Sequence, residues 1–345
     1  MSRKFDVVIG NPPYQEDSVG ESTHNMPIYD KFMDAAYEVG TKAVLITPAR
    51  FLFNAGYTNK DWNAKMLADP HVSVPIYVPN SGELFPGTDI KGGVVVTYRD
   101  ASKEGEPIGT FTKYPELNSI LHRVSGRGDG SLTQLEITND RQYRFTDLMH
   151  SENPQARSLM SEGNPYKPDA RTFTRLPFLW HASRPEDGHQ YAQILGRFGT
   201  ARTTRWIRRA YIDGPQSFDK FKVAVPKANG SGTFGETLSQ LVVLDPGVGV
   251  QGTFITIGAF DSRDAAEACE KYIKSKFART MLGVSKVTQD NPARTWKHVP
   301  LQDFTDSSDI DWNKSIPEID AQLYAKYGLD AEEIAFVEAN VKPME

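Results

Sequence analysis

Four consecutive residues, Asn11-Pro12-Pro13-Tyr14, place a side-chain amide oxygen, two rigid carbonyls and an aromatic ring in one short loop. Proline fixes φ and carries no N–H, so the Pro12 and Pro13 carbonyls are held in a set direction with no neighbouring donor competing for them. Convergent acceptors beside a flat ring suit an amino group on a planar heterocycle, held through its N–H bonds while its ring is stacked. The exocyclic amine of a nucleobase has that shape. The preceding run Phe5-Asp6-Val7-Val8-Ile9-Gly10, with three β-branched residues stopped by glycine and proline, predicts a short buried strand that delivers the loop.

An Asn-Pro-Pro-Tyr motif after a hydrophobic strand resembles the catalytic motif of the amino-methyltransferases of DNA, whose asparagine form is typical of enzymes acting on adenine N6. The resemblance implies that the Asn11 side chain and the Pro12 carbonyl accept hydrogen bonds from the target amine. Pro13 stiffens the loop and Tyr14 stacks on the flipped base. The amine would attack the methyl group of S-adenosylmethionine directly, so no covalent enzyme intermediate and no cysteine nucleophile is implied. The stretch Leu84-Phe85-Pro86-Gly87-Thr88-Asp89 resembles a later motif of the same family, in which an aromatic packs against the base; that puts Phe85 in the role, although a core anchor is an equal reading. The expected identity is thus an adenine-N6 methyltransferase of a type II, IIG or type III restriction-modification system, with double-stranded DNA as partner.

The elements that must position these residues are legible in part. Pro27 opens a helix with Ile28, Phe32, Ala35, Ala36 and Val39 at helical spacing, and Ala43 to Thr47 follows as a second strand, which implies a parallel pair. Residues 15–25 read as a mobile loop at the mouth of the site. A helix over 61–67 and strands over 72–78, 93–98 and 108–111 complete an α/β fold class: part of a doubly wound, Rossmann-like methyltransferase sheet, followed by an α+β target-recognition domain. The expected boundary separates a catalytic domain, residues 1–150, from a recognition domain, residues 151–345, with helices over 263–282, 316–327 and 330–340.

In the resembled family the glycine-rich turn that receives the cofactor lies upstream of the catalytic loop, where this sequence has only Met1 to Lys4. The preferred expectation is therefore a fragment, its partner either an N-terminal methyltransferase half or a restriction subunit. Two alternatives stand beside it. One is a catalytically incomplete DNA-binding module. The other is a permuted enzyme in which Gly230 to Gly235 forms the cofactor turn, although Pro226-Lys227-Ala228 replaces the Asp-Pro-Phe expected before it and no crossover helix fits before residue 241.

Composition narrows the rest. The 345 residues carry 39% hydrophobic and 24% charged residues and a net charge of −5, ordinary for a globular protein and no global attraction for nucleic acid. With no run of eighteen apolar residues and no leader pattern, neither a membrane partner nor secretion is expected, and the location is expected to be cytoplasmic. Cys269 is the single cysteine and the seven histidines show no ligand spacing, so no metal site is expected. DNA contact must then be local. Between Arg197 and Lys227 eight cations face two carboxylates, a net of +6, with Trp206, Tyr211 and Phe221 interleaved. Arg202, Arg205, Arg208, Arg209, Lys220, Lys222 and Lys227 are the expected phosphate contacts. Asp89 and Lys91 form an Asp-x-Lys that reads as a surface ion pair more readily than as a nuclease centre.

Overall fold

A computed structural model describes residues 5–16, 26–286 and 288–344, so most of the expected loop over 15–25 lies outside the described residues. The chain divides into two compact units, Met1–Asn118 and Ser119–Glu345, a boundary well before residue 150. The reason is packing: Leu132 sits in one buried cluster of the second unit, and Tyr143, Phe145 and Met149 sit in another.

In the first unit β1 (Phe5–Gly10), α1 (Tyr29–Val39), β2 (Gly40–Pro48), α2 (Lys60–Ala68), β3 (Val72–Val78) and β4 (Val94–Asp100) follow in order. The sheet order is β1-β2-β4-β3. β1 and β2 are parallel, as the strand–helix–strand pattern requires, whereas β4 runs antiparallel to both β2 and β3. The sheet is therefore mixed. Residues 108–111 form no strand.

Alternation along the strands assigns the faces. Val8, Leu45, Val95 and Val72 join a core with Tyr29, Met33 and Ala36 of α1 and Met66 of α2. The buried stripe of α1 thus runs through 29, 33 and 36, and Phe32, expected inside, is exposed. On the opposite face Val7 pairs with Lys42, and Ile9 with Val44. β1 itself was expected to be buried and is not: Phe5, Val7 and Ile9 are 57%, 48% and 77% exposed. Among the described residues β1 pairs only with β2, leaving its outer edge open.

The second unit begins within α3 (Pro115–Gly126) and continues with β5 (Arg144–Phe145), α4 (Asp147–Glu152), α5 (Gln155–Leu159) and α6 (Thr172–Arg175). Next come β6 (Tyr191–Phe198), β7 (Ala201–Arg208), β8 (Ile212–Asp213), β9 (Phe221–Pro226), β10 (Val242–Leu244), β11 (Val248–Val250) and β12 (Phe254–Phe260). Four helices end it: α7 (Arg263–Lys274), α8 (Lys276–Gly283), α9 (Ile316–Tyr327) and α10 (Ala331–Asn340). Among the described residues three small sheets result, β10-β9-β12, β11-β6-β7 and β5-β8, so this unit mixes strands and helices. Among the described residues no helix is long and apolar enough to cross a membrane.

The helix expected over 263–282 is two helices. Its apolar positions Ala266, Cys269, Tyr272, Ile273, Phe277 and Met281 are all buried as the spacing requires. Ser275, however, takes an extended ψ of 148°, and its hydroxyl accepts from the Ala278 amide to start α8. Asp320 of α9 completes that cap by accepting from the Lys276 and Phe277 amides at 3.0 and 2.9 Å.

Burial pushes the Asp320 carboxyl from an ordinary 3.8 up to about 6, against the pull of those amides. The folded state then holds a proton between about pH 4 and 6 that the unfolded chain releases, so this group's contribution to stability falls as pH rises through that window. Asp320→Asn should remove that part of the slope, which unfolding midpoints measured from pH 4 to 7 on variant and parent will show.

Candidate functional site

The loop Asn11–Tyr14 exists because the ladder of β1 stops where Pro12 and Pro13 offer no N–H. Parallel pairing sets its neighbourhood. The carboxyl ends of β1 and β2 lie at the same edge of the sheet, so the loop after β1 meets the turn after β2, the position where α/β sheets place ligands. That second turn is a 3₁₀ segment, Ala49–Phe53, ended by Asn54 in the left-handed region.

Tyr14 is pinned at this edge by the returning chain. Its carbonyl accepts from Ile28 N at 3.2 Å, Glu16 N donates to the Met26 carbonyl at 2.9 Å, and Gln15 bridges Pro27. The Tyr14 hydroxyl is enclosed with no hydrogen-bond partner among the described residues. Burial pushes its pKa up, the Asn11 side chain opposing the shift. Asn11 itself is exposed.

Tyr14 borders a cavity of about 250 Å³ whose other walls include Gln15, Tyr29, Arg50, Tyr57 and Asp89. Tyr29 is held at the back by Phe51 and Trp62, with ring centroids 6.4 and 6.3 Å away, and burial raises its phenol to about 12. Arg50 donates from Nε to the Lys91 carbonyl at 2.7 Å, which fixes the guanidinium at the cavity wall. The loop carrying Lys91 comes this close because Gly93 has φ 81° and lies against the Val78 carbonyl, where a Cβ would clash. Aromatic walls with a few polar groups suit a flat heterocycle.

Of the residues expected to act, Tyr14 reaches the cavity; Asn11, Pro12 and Pro13 sit on the loop that leads into it. Phe85 is half-buried and does not line it: the 3₁₀ turn Ser81–Glu83 and the Phe85 carbonyl, which accepts from Thr88 N at 3.1 Å, turn the chain so that Asp89 and Ile90 face the cavity. Asp89 pairs with Lys91 at 2.6 Å, both 76% exposed, which is the surface ion pair expected there. Arg50 and Tyr57 were missed. Their signal was positional, since they follow the second strand of a parallel pair.

The glycine-rich turn weighed as a cofactor site is filled from within. Ser231 N and Gly232 N donate to the Glu236 carboxylate at 2.9 Å each, and Lys286 pairs with it at 2.8 Å. Burial works to raise that carboxyl, but Lys286 and the two amides outweigh it and hold it at about 2. Gly235, with φ 74°, packs against the Asn340 carbonyl at the end of α10, and β9 and β10 are antiparallel. The permuted arrangement is overturned: no crossover exists, and the anion pocket belongs to the chain's own carboxylate.

The basic segment also reads differently in space. Lys222 is 0% exposed and donates to the carbonyls of Phe218, Lys220 and Asp245, so it cannot be a DNA contact. Its ammonium supplies the donor that the Lys220 carbonyl would otherwise lack, and adds a second donor to the Phe218 and Asp245 carbonyls. Arg208 pairs with Glu152 at 2.7 Å and Lys227 with Asp140 at 2.6 Å, while Lys220 pairs with Asp261. Arg209 donates to the Ile212 carbonyl and lies 4.4 Å over the Phe218 ring. Arg202 donates to the Gln240 carbonyl and faces Phe254; Arg205 lies over Phe198 and pairs with no carboxylate among the described residues.

Comparison with known proteins bears on the first unit. Residues 1–85, which contain the Asn11–Tyr14 loop and most of the cavity wall, match the methylases of restriction-modification systems; the matching family is that described as the Eco57I restriction-modification methylase. No curated protein matches. Among solved structures the chain is similar to the type IIG restriction endonuclease BpuSI, at 10% identity over 97% of this chain and 52% of that one, with a TM-score of 0.35. It is similar also to the type IIL restriction-modification enzyme MmeI in complex with DNA, at 9% identity over 97% and 56%, with a TM-score of 0.32. The chain spans about half the length of these solved chains.

Replacing Lys222 by Met leaves the Lys220 carbonyl without a donor, at a cost of roughly 1–3 kcal/mol for a buried unsatisfied group, while the Phe218 and Asp245 carbonyls keep the Gly247 and Val248 amides. Lys222→Met should therefore lower the unfolding midpoint, which thermal melts of variant and parent will show.

Proposed function

We propose that this chain is the catalytic-loop and DNA-recognition part of a restriction-modification methyltransferase that methylates the N6 amine of a flipped adenine. The observation that carries the reading is the match of residues 1–85 to a restriction-modification methylase, together with the position of the loop at the carboxyl edge of a parallel pair beside an aromatic-walled cavity. In this reading the Asn11 side-chain oxygen and the Pro12 carbonyl accept the two amine hydrogens. Those bonds draw the nitrogen lone pair out of conjugation with the ring, and Tyr14 stacks against the base. Phe85 stays a second-choice base contact.

Methylases of this kind use S-adenosylmethionine, but the described residues do not fit its site. The one glycine-rich turn weighed for it already holds Glu236. The edge and one apolar face of β1 stand open, with Phe5, Val7 and Ile9 exposed. We take the cofactor to be held by a further part that completes the sheet at β1, in the same polypeptide or a partner subunit. The same observation favours the second reading, in which this chain alone is a DNA-recognition module without activity.

The test is a methylation assay with S-adenosylmethionine and mixed-sequence duplex DNA, the DNA then digested to nucleosides. With the chain joined to the part that completes its sheet at β1, N6-methyladenine should form, and Asn11→Ala should reduce it by about 10²-fold or more while leaving the unfolding midpoint near that of the parent. N4-methylcytosine in its place would overturn the assignment of adenine. Salt-sensitive DNA binding without cofactor binding in calorimetric titration would leave the recognition module as the activity of this chain alone.

A further inference from the structure

A second cavity, of about 270 Å³, lies wholly within the second unit, between β5 and the turn over 163–167. Arg141, Arg144 and Lys167 supply its charge and Tyr166 its aromatic wall. None of these residues belongs to the basic segment that the sequence singled out.

The carboxylates around it are engaged elsewhere or leave the guanidinium groups alone. Asp140 holds the Lys167 and Lys227 ammonium groups, each at 2.6 Å. Burial works to raise its carboxyl, and the two lysines outweigh it and hold it near 2. Asp147 accepts the Tyr166 hydroxyl at 2.7 Å. Asp213 is the cross-strand partner of Arg144 on β8, yet no ion pair joins them among the described residues. Arg141 and Arg144 are both exposed, and neither pairs with a carboxylate among the described residues.

The groove is also held rigid. Phe145 N donates to the Tyr166 carbonyl at 2.8 Å, and His150 Nε2 lies 2.9 Å from the Pro165 carbonyl. The His150 ring meets Tyr166 edge-on, with centroids 4.7 Å apart. Arg144 lies 5.5 Å over the Tyr166 ring, a stacking that orders its planar fork and leaves the N–H edge free. An ordered guanidinium loses less entropy when it binds, and its fork matches the oxygens of a phosphoryl group.

We propose that the groove formed by Arg141, Arg144, Lys167 and Tyr166 binds a backbone phosphodiester of the DNA substrate. The inference rests on the reading of this unit as DNA-recognising, and it moves the phosphate contact away from a segment whose cations are largely engaged inside the protein. Arg141 and Arg144 carry the binding charge, and Lys167 is kept by Asp140 as part of the wall.

Fluorescence anisotropy of a labelled mixed-sequence duplex, titrated with salt, tests it on the full chain. Each phosphate neutralised contributes about 0.9 to the slope of log affinity against log salt, so Arg141→Ala/Arg144→Ala, which empties the groove of its one phosphodiester, should flatten the slope by about one. Arg141→Lys/Arg144→Lys should recover most of the slope, because the charge is kept. A double-alanine variant that melts like the parent and keeps the parent slope overturns the groove while leaving DNA recognition by this chain intact. A parent that binds no duplex at all overturns both. Inorganic phosphate that binds the parent and not the variant, with the DNA slope unmoved, would assign the groove to a small phosphate and overturn the proposal as well.

Discussion

The parallel pairing of β1 with β2 is the constraint on which the candidate site depends. Because both strands run the same way, their loops emerge at one edge, and α1, which joins them, fills the face behind. Antiparallel pairing would send the Asn11–Tyr14 loop to the far end of β2, away from Arg50 and Tyr57. The connection of Glu16 to Met26 and of Tyr14 to Ile28 ties the loop to the start of that helix, so the same crossover that makes the strands parallel also anchors the aromatic ring.

Charge in the second unit is governed by where side chains end up, not by their count along the chain. Strand periodicity sends Lys222 inward to a corner of carbonyls, and Glu152, Asp140 and Asp261, all distant in sequence from the cations, close on Arg208, Lys227 and Lys220. A linear net charge of +6 therefore overstates what the surface presents. The converse holds for Arg141 and Arg144, unremarkable in sequence, whose neighbours take other partners. The glycine turn at 230–235 shows the same principle: its amides do form an anion cradle, and the anion is Glu236.

Much of the local structure was legible because it is set by local rules. The strands over 72–78 and 93–98, the helices starting at Ser315 and Asp330, and the buried stripe from Ala266 to Met281 follow from apolar period and capping residues. What escaped was non-local. The exposure of β1 depends on what lies across its edge, and the Ser275 break depends on Asp320 arriving from α9, 45 residues later. Asn11–Tyr14 was readable as a loop after the first strand. Arg50 and Tyr57 were not, since only sheet pairing brings them beside it.

The open edge of β1 has a thermodynamic consequence. Among the described residues β1 is paired on one side only whereas β2 and β4 are paired on both, so opening β1 should cost less than opening them. Asn11–Tyr14 hangs from that strand, so its order is coupled to whatever pairs with β1. By linkage, any element that binds the edge lowers the cost of ordering the loop, and occupancy of the cavity in turn strengthens attachment at the edge by the same factor. Pairing at the edge and occupancy of the cavity are then two readings of a single coupling free energy.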